Sequence, residues 1–494
     1  MYTVGIDLGT SAMKLLLVDE DGAILRSVSR SYPLSLPRPG WSEQAPEDWW
    51  TACLSGLEEL LTDVDRRRVA AIGTGGQMHG LVALDREDRV IRPAILWNDG
   101  RTEAETAWLN ESVGRARLTE LTANIAFAGF TAPKLLWMRK NEPEAFGRME
   151  KIMLPKDYLT YRLTGVHATD YSDAGGTLLL DVAGKRWSPE MLAICGLREE
   201  QLPKLYESSA PVGRLLPELA ERLGLSPETL VVAGAGDNAA AAVGTGTVGE
   251  GRCNLSLGTS GTLFISSEQF RVDGQNALHA FPHADGGFHL MGCMLSAASC
   301  LKWLCEDILR SADFAAEQEA VDPAGLGRNG VFFLPYLMGE RSPINDVNAR
   351  GCFIGLGLES GRADLVQAVL EGVAFALRDS LEAARGLGLT VGAATLCGGG
   401  ARSPLWRRIL ANVLGLELAL PNTEEGPAYG AALLALVGCG AYPDVKSCAS
   451  TLCRAVPCAA PEPELAARYE ERYQKFKLLY PTLKELFPTL QAPQ

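Results

Sequence analysis

The chain of 494 residues has no apolar run of the ~18 residues that a membrane-spanning helix needs. Its start lacks a basic segment followed by an apolar stretch, and Tyr2 to Ile6 reads directly as a strand, so no secretory leader is expected. None of the 12 cysteines forms a Cys-x-x-Cys pair. Cys448, Cys453 and Cys458 recur at a five-residue spacing with no histidine nearby, which argues against a zinc clip and for reduced, mostly buried thiols. Thiols at this density fit a reducing compartment, and a cytoplasmic location is expected. Histidine is scarce, at five residues. Three of them, His279, His283 and His289, share one segment, but Pro282 breaks the helical spacing, so a strand or loop is read there rather than a metal site. Positive charge is in deficit: 46 Lys and Arg against 60 Asp and Glu leave a net charge of −14. No nucleic-acid or membrane partner is expected from that balance. The densest basic cluster, Arg66-Arg67-Arg68, is short and reads as a solvated helix end.

What is present is an ordinary globular composition, 47% hydrophobic and 21% charged, long enough for two large domains. The tripeptide Gly-Thr-Ser occurs twice, each time after a strand-like run: Val4 to Leu8 before Gly9-Thr10-Ser11, and Asn254 to Leu257 before Gly258-Thr259-Ser260. Each is followed by another apolar run, so each reads as a β-hairpin with a tight turn. Such turns expose backbone N–H groups and hydroxyls, which suits a polyanionic phosphate chain. Two of them about half a chain apart imply two related domains holding one nucleotide from opposite sides.

Strands alternate with helices elsewhere, which predicts an α/β fold with mixed sheets. The first region reads as a three-strand meander and a helix over 47–61, and the boundary between domains is placed at 246/247, giving units 1–246 and 247–494. Val231 to Gly236 is strand-like and runs into Asp237-Asn238, a pair expected to cap the alanine-rich helix that follows. Thr395-Leu396-Cys397 leads into Gly398-Gly399-Gly400-Ala401, a further strand-to-turn-to-helix junction. Pro461 to Phe487 reads as an amphipathic helix packed on the second domain. Asp7 and Asp237 each end a strand at a glycine-rich turn. Donors for phosphate, a carboxylate for a metal and a carboxylate to accept a hydroxyl proton are the parts that phosphoryl transfer requires.

Longer segments carry a family resemblance that spans nearly the whole chain. Gly129-Phe130-Thr131-Ala132-Pro133-Lys134-Leu135-Leu136-Trp137 and the stretch from Gly351-Cys352-Phe353-Ile354-Gly355-Leu356 to Glu371 resemble the two signatures of the FGGY carbohydrate kinases. Trp41 to Trp50, Gly76-Gln77-Met78-His79-Gly80, Ile95 to Arg101 and Leu154 to Leu159 are most similar to the xylulokinase branch. That branch usually has Gln-Asp-Pro where this chain has Gln44-Ala45-Pro46, away from the motifs that carry chemistry. The resemblance implies two actin-like (ribonuclease H-like) ATPase domains with a nucleotide cleft between them. It also implies Mg²⁺ and ATP as cofactors and a pentulose, D-xylulose, as the sugar.

Under that resemblance Asp237 is the general base, and its place at a helix N-terminus is expected to lower its pKa. Asp7 is the metal-side carboxylate, holding Mg²⁺ directly or through water; as a plain turn residue it would only bond its own loop. Met78, His79, Trp97, Asp237 and Asn238 are the sugar-binding set, with Trp97 as an aromatic wall and Met78 equally readable as core. Asn98, Asp99 and Arg101 are candidates for the rim. Thr10, Ser11, Gly258 and Thr259 flank the phosphates, and Gly399, Gly400 and Ala401 lie beside adenosine. Lys14 either reaches the phosphates or solvates its strand. Another sugar kinase of the family, an actin-like structural protein and a sugar-responsive regulator remain as alternatives, and a homodimer is retained as an assembly.

Overall fold

In the computed structural model, which describes residues 1–490, each half of the chain holds a seven-stranded mixed sheet. In the first, Tyr2–Leu8, Ala12–Asp19 and Ile24–Ser31 form an antiparallel meander. Val69–Gly76 then runs parallel to Tyr2–Leu8, and Leu230–Val232 parallel to Val69–Gly76. In the second, Cys253–Leu257, Gly261–Ser267 and Phe288–Met294 form the meander. Ala393–Cys397 adds parallel to Cys253–Leu257, and Glu417–Pro421 parallel to Ala393–Cys397. The same strand order is thus built twice, and both Gly-Thr-Ser triplets are the loops of the first hairpin in each sheet.

Side-chain alternation explains why the first sheet is covered on both faces. Met13, Leu15 and Leu17 pack into one core with Trp49, Cys53 and Leu57 of the helix Pro46–Leu60. Leu16 and Val18, on the opposite face, pack with Ala428, Ala432 and Leu433 of the helix Gly426–Gly438. A strand with a period of two presents alternate residues to opposite faces, so one eight-residue run serves both layers. The second of these helices comes from the far half of the chain, so the core under Leu16 and Val18 is completed by residues more than 400 positions away from them.

That helix lies unusually close to its neighbours. A Cβ built on Gly5 would sit 2.0 Å from the carbonyl oxygen of Ala428. A Cβ on Gly430 would sit 1.8 Å from the carbonyl oxygen of Ala240, in the helix Asp237–Gly244. Backbone meets backbone at both places, and no rotamer change can make room for a side chain.

The C-terminal helix, Pro463–Leu483, packs on the second half through Tyr469, Tyr473 and Phe476, with Arg472 paired to the buried Glu371 at 2.9 Å. His279 and His289 fall on paired strands, and all 12 cysteines are free thiols. Among the described residues no helix is long and apolar enough to cross a membrane, and no cluster of three or more metal-type ligands occurs.

Overpacking at the crossing predicts that Gly430→Ala lowers the unfolding free energy by about 1–3 kcal/mol. The change is read as a fall of several degrees in the thermal midpoint. Gly392→Ala, where nothing lies within 4 Å of the added Cβ, is the control and shifts it little. Equal midpoints for the two variants would refute the packing argument.

Candidate functional site

A cavity of about 840 Å³ is lined by residues of both halves. Met78, His79, Trp97, Phe130, Asp237 and Asn238 line it from the first half, and Gly258, Ser260, Gly399 and Ala401 from the second. A neighbouring cavity of about 850 Å³ is lined by Thr259, Ser299, Gln318, Gly399, Gly400 and Trp406. Gly399 belongs to both, so the two spaces meet at the glycine turn.

His79 follows the strand Val69–Gly76 in a tight turn, closed by Gly80 N–H donating to the Met78 carbonyl at 2.9 Å. Its φ of 70° is left-handed, a conformation costing an L-residue roughly 1–2 kcal/mol. The turn is held from outside. Thr131 Oγ1 and Lys134 Nζ donate to the His79 carbonyl at 3.0 and 2.9 Å, and Lys134 also donates to the Gly129 carbonyl at 2.5 Å. Burial pulls the Lys134 ammonium down to about 7. The His79 ring stacks on Phe130 with centroids 4.7 Å apart. Its Nδ1 lies 2.7 Å from the Gly176 carbonyl, an acceptor only, so Nδ1 carries the hydrogen and Nε2 presents a lone pair. Burial, then the charges of Lys134 and, to a lesser degree, Arg341, push the imidazole down to about 3, which keeps it neutral.

Trp97 is 41% exposed and donates Nε1–H to Thr10 Oγ1 at 3.0 Å, tying the aromatic wall to the first Gly-Thr-Ser turn. Met78 is buried, with its Sδ 3.9 Å from Asn238 Nδ2. Asp99 and Arg101 form a buried ion pair at 2.7 Å and do not line the cavity.

Asp237 departs from its sequence reading in two respects. The helix cap is Gly236, with no side-chain cap bond, and Asp237 is the first helical residue. Its Oδ1 instead accepts from the backbone N–H and the Nδ2 of Asn238 at 2.7 and 2.9 Å, so neither residue of the pair caps the helix. Nor is its pKa lowered by the helix: burial raises it to about 6, against which the Asn238 hydrogen bonds act. The corner before it is anchored through the protein interior. Gly236 N–H donates to Ser172 Oγ at 3.2 Å, and Ser172 Oγ–H donates to Asp170 Oδ2 at 2.5 Å. Asp170 pairs with the fully buried Lys156 at 2.9 Å.

Asp7 ends the first strand opposite Lys14 and Gly75. Its Oδ1 is buried with no hydrogen-bond partner. Burial, then the nearby Asp237, push its carboxyl up to about 7. An unpartnered buried carboxylate oxygen is the donor that a hard divalent cation takes, so Asp7 fits Mg²⁺. Lys14 Nζ pairs with Glu425 Oε2 at 2.5 Å, at the start of the helix Gly426–Gly438. Asp7, Thr10, Ser11 and Lys14 do not line either cavity, and Ser11 is exposed at the turn.

Sequence reasoning passed over three residues here. Lys134 lies inside a quoted signature without a role, because a lysine clamping a carbonyl leaves no periodic trace. Glu425 and Arg341 sit in loops, and only the folded chain brings them to the site. Glu340-Arg341-Ser342-Pro343 after the Gly339 turn was the one available signal for Arg341.

Two copies of one strand order, with the second Gly-Thr-Ser turn and the Asp237 carboxylate lining a cavity between the halves, fit a phosphotransferase with the actin-like ATPase fold. Residues 2–244 match the N-terminal domain, and residues 253–439 the C-terminal domain, of the FGGY family of carbohydrate kinases. The xylulose kinase of Escherichia coli (strain K12) is 45% identical over 494 residues, covering 98% of this chain and 100% of that protein. The xylulose kinase of Bacillus subtilis (strain 168) is 37% identical and covers 99% of both chains. The crystal structure of a xyloylose kinase from Brucella ovis superimposes with a TM-score of 0.93 at 42% identity, covering 98% of this chain and 100% of that one. The chain belongs to the FGGY family of carbohydrate kinases.

The local chemistry predicts that the His79 imidazole stays neutral from pH 8 to pH 5. Nitrogen chemical shifts followed by NMR over that range should show Nδ1 protonated and Nε2 bare throughout, and a titration centred near 6.5 would contradict the assignment.

Proposed function

We propose that this chain catalyses transfer of the γ-phosphoryl group of ATP to the C5 hydroxyl of D-xylulose, giving ADP and D-xylulose 5-phosphate. The observation that carries the reading is Asp237, a half-buried carboxylate lining a cavity whose nearby walls suit a small polyhydroxylated molecule. Membership of the family and the shared name of its full-length relatives support it.

In this reading Asn238 occupies Asp237 Oδ1, which leaves Oδ2 for the sugar. Oδ2 accepts the proton of the C5 hydroxyl as that oxygen bonds to the γ-phosphorus and the β–γ bridging oxygen leaves with ADP. A group with a pKa near 6 is ionised at neutral pH and is a better base than an exposed aspartate. His79 Nε2 accepts from a second hydroxyl, and Trp97 covers a C–H face. Met78 and Asn238 close the same end. Thr10, Ser11, Gly258 and Thr259 flank the phosphates, and adenosine takes the cavity beside Gly399, Gly400 and Ala401, with Trp406 in its wall. Lys14 reaches the phosphates only by leaving Glu425. Asp7 would hold Mg²⁺, which supplies neutralisation of the phosphate charge when bound. Closure of the halves would exclude water from the transfer. A domain division at 246/247 and a cytoplasmic location belong to the same reading, and a homodimer stays open.

Two measurements test it. Asp237→Asn should lower kcat about 10²–10⁴-fold while the thermal midpoint is kept; near-normal turnover sinks the base assignment. For the wild type, kcat/KM should fall as pH drops through about 6, because protonation removes the base. A coupled ADP assay over pentuloses, hexonates and glycerol identifies the sugar, and a preference for a non-pentulose overturns the substrate reading.

A further inference from the structure

Arg341 is a cation whose placement the steps above do not use. It lines the sugar-end cavity with Asp237 and His79, yet it is supplied by the second half of the chain. Its guanidinium lies 5.2 Å over the ring of Phe127, which packs edge-on against Phe130 at 5.5 Å, the ring on which His79 stacks. The Cys293 thiol feels both the Arg341 guanidinium and, more weakly, the Asp237 carboxylate, so both charges lie within reach of one side chain. Among the described residues Arg341 forms no ion pair. Its own neighbour Glu340 is turned inward, accepting from the backbone N–H groups of Leu295 and Arg341 at 2.8 Å each. The loop is pinned by Ser342 N–H donating to the Cys293 carbonyl at 3.0 Å and Asn345 N–H donating to the Arg341 carbonyl at 2.6 Å.

The polar groups at this end of the cavity are unbalanced. Asp237 Oδ2 and His79 Nε2 only accept. The donors of Asn238 are spent on Asp237 and Met78, and that of Trp97 on Thr10. Arg341 is donor-only, with five N–H groups in a fixed fork. The substrate has a matching asymmetry that rests on the function proposed above. A pentulose closes to a furanose through its C5 oxygen, the same oxygen that takes the phosphoryl group. It therefore reacts in the open-chain form, with a free C2 carbonyl. A carbonyl oxygen only accepts, so neither Asp237 nor His79 can pair with it.

We infer that Arg341 hydrogen-bonds the C2 carbonyl oxygen of the open-chain ketose and so sets the preference of this kinase for a ketose over the corresponding polyol. The polyol's C2 hydroxyl can also accept from Arg341, but its tetrahedral sp³ oxygen does not offer the two in-plane lone pairs of a carbonyl, so it matches the planar guanidinium fork less well. Because Arg341 comes from the second half, the same bond joins the sugar to the half that lines the second cavity.

The test compares kcat/KM for D-xylulose with that for xylitol and D-arabitol, in the wild type, R341Q and R341K, with thermal midpoints as a check on folding. R341Q offers an amide that both donates and accepts. It should lose about 10–100-fold on the ketose, the range expected for one charge-assisted hydrogen bond, while the polyols lose less. The ketose-to-polyol ratio therefore collapses. R341K keeps the charge without the fork and should fall between; should R341Q not fold, R341K reads the same ratio. Equal losses on ketose and polyol, or no loss, overturn the assignment. Absence of D-xylulose turnover by the wild type overturns the functional reading instead, so the two fail separately.

Discussion

The close crossing of the helices Asp237–Gly244 and Gly426–Gly438 is the contact on which the site depends. One helix opens with the proposed base. The other follows Glu425, which holds Lys14 of the first hairpin. The second helix also completes the core beneath the first sheet. Strand, hairpin, base and second half are thereby fixed to one another through a place where only hydrogen stands between two backbones. Packed interiors yield little to overlap, so this crossing defines how the halves meet around the cavity.

Around that crossing the electrostatics are set by burial rather than by local dipoles. A helix N-terminus favours a carboxylate by about 0.3–1 kcal/mol, which is less than one pKa unit. The rise of Asp237 from 3.8 to about 6 corresponds to about 3 kcal/mol in the opposite direction. Desolvation wins because the low-dielectric walls act on the whole charge, whereas the helix end contributes only partial charges. Asp7 shares the same interior and is raised further, since the Asp237 charge adds to its burial. Lys14 is the cation whose charge acts against that rise at Asp7.

Much of the fold was readable beforehand because its signals are local. The two Gly-Thr-Ser turns fall where alternation of apolar residues stops and resumes, and hairpin pairing across three residues needs no distant contact. His79, singled out by its place after a strand and a glycine turn, and Trp97, singled out by family resemblance, both line the cavity. The misreading of Asp237-Asn238 as a cap had a physical source: a cap is a choice among nearby donors, and Asn238's own amide captured the Asp237 oxygen first. Arg341 and Lys134 escaped notice because each acts through a partner far along the chain, Phe127 in one case and the His79 carbonyl in the other.

The residue order by itself determined the repeated hairpins and the α/β class, which rest on alternation and turn chemistry within short segments, and the family, which rests on long matching segments. Tertiary structure alone decided which tautomer His79 adopts, how basic Asp237 becomes, and that Arg341 of the second half lines the same cavity as both. Those properties are set by which groups share a desolvated space, and that is fixed only when chain segments hundreds of residues apart close around it.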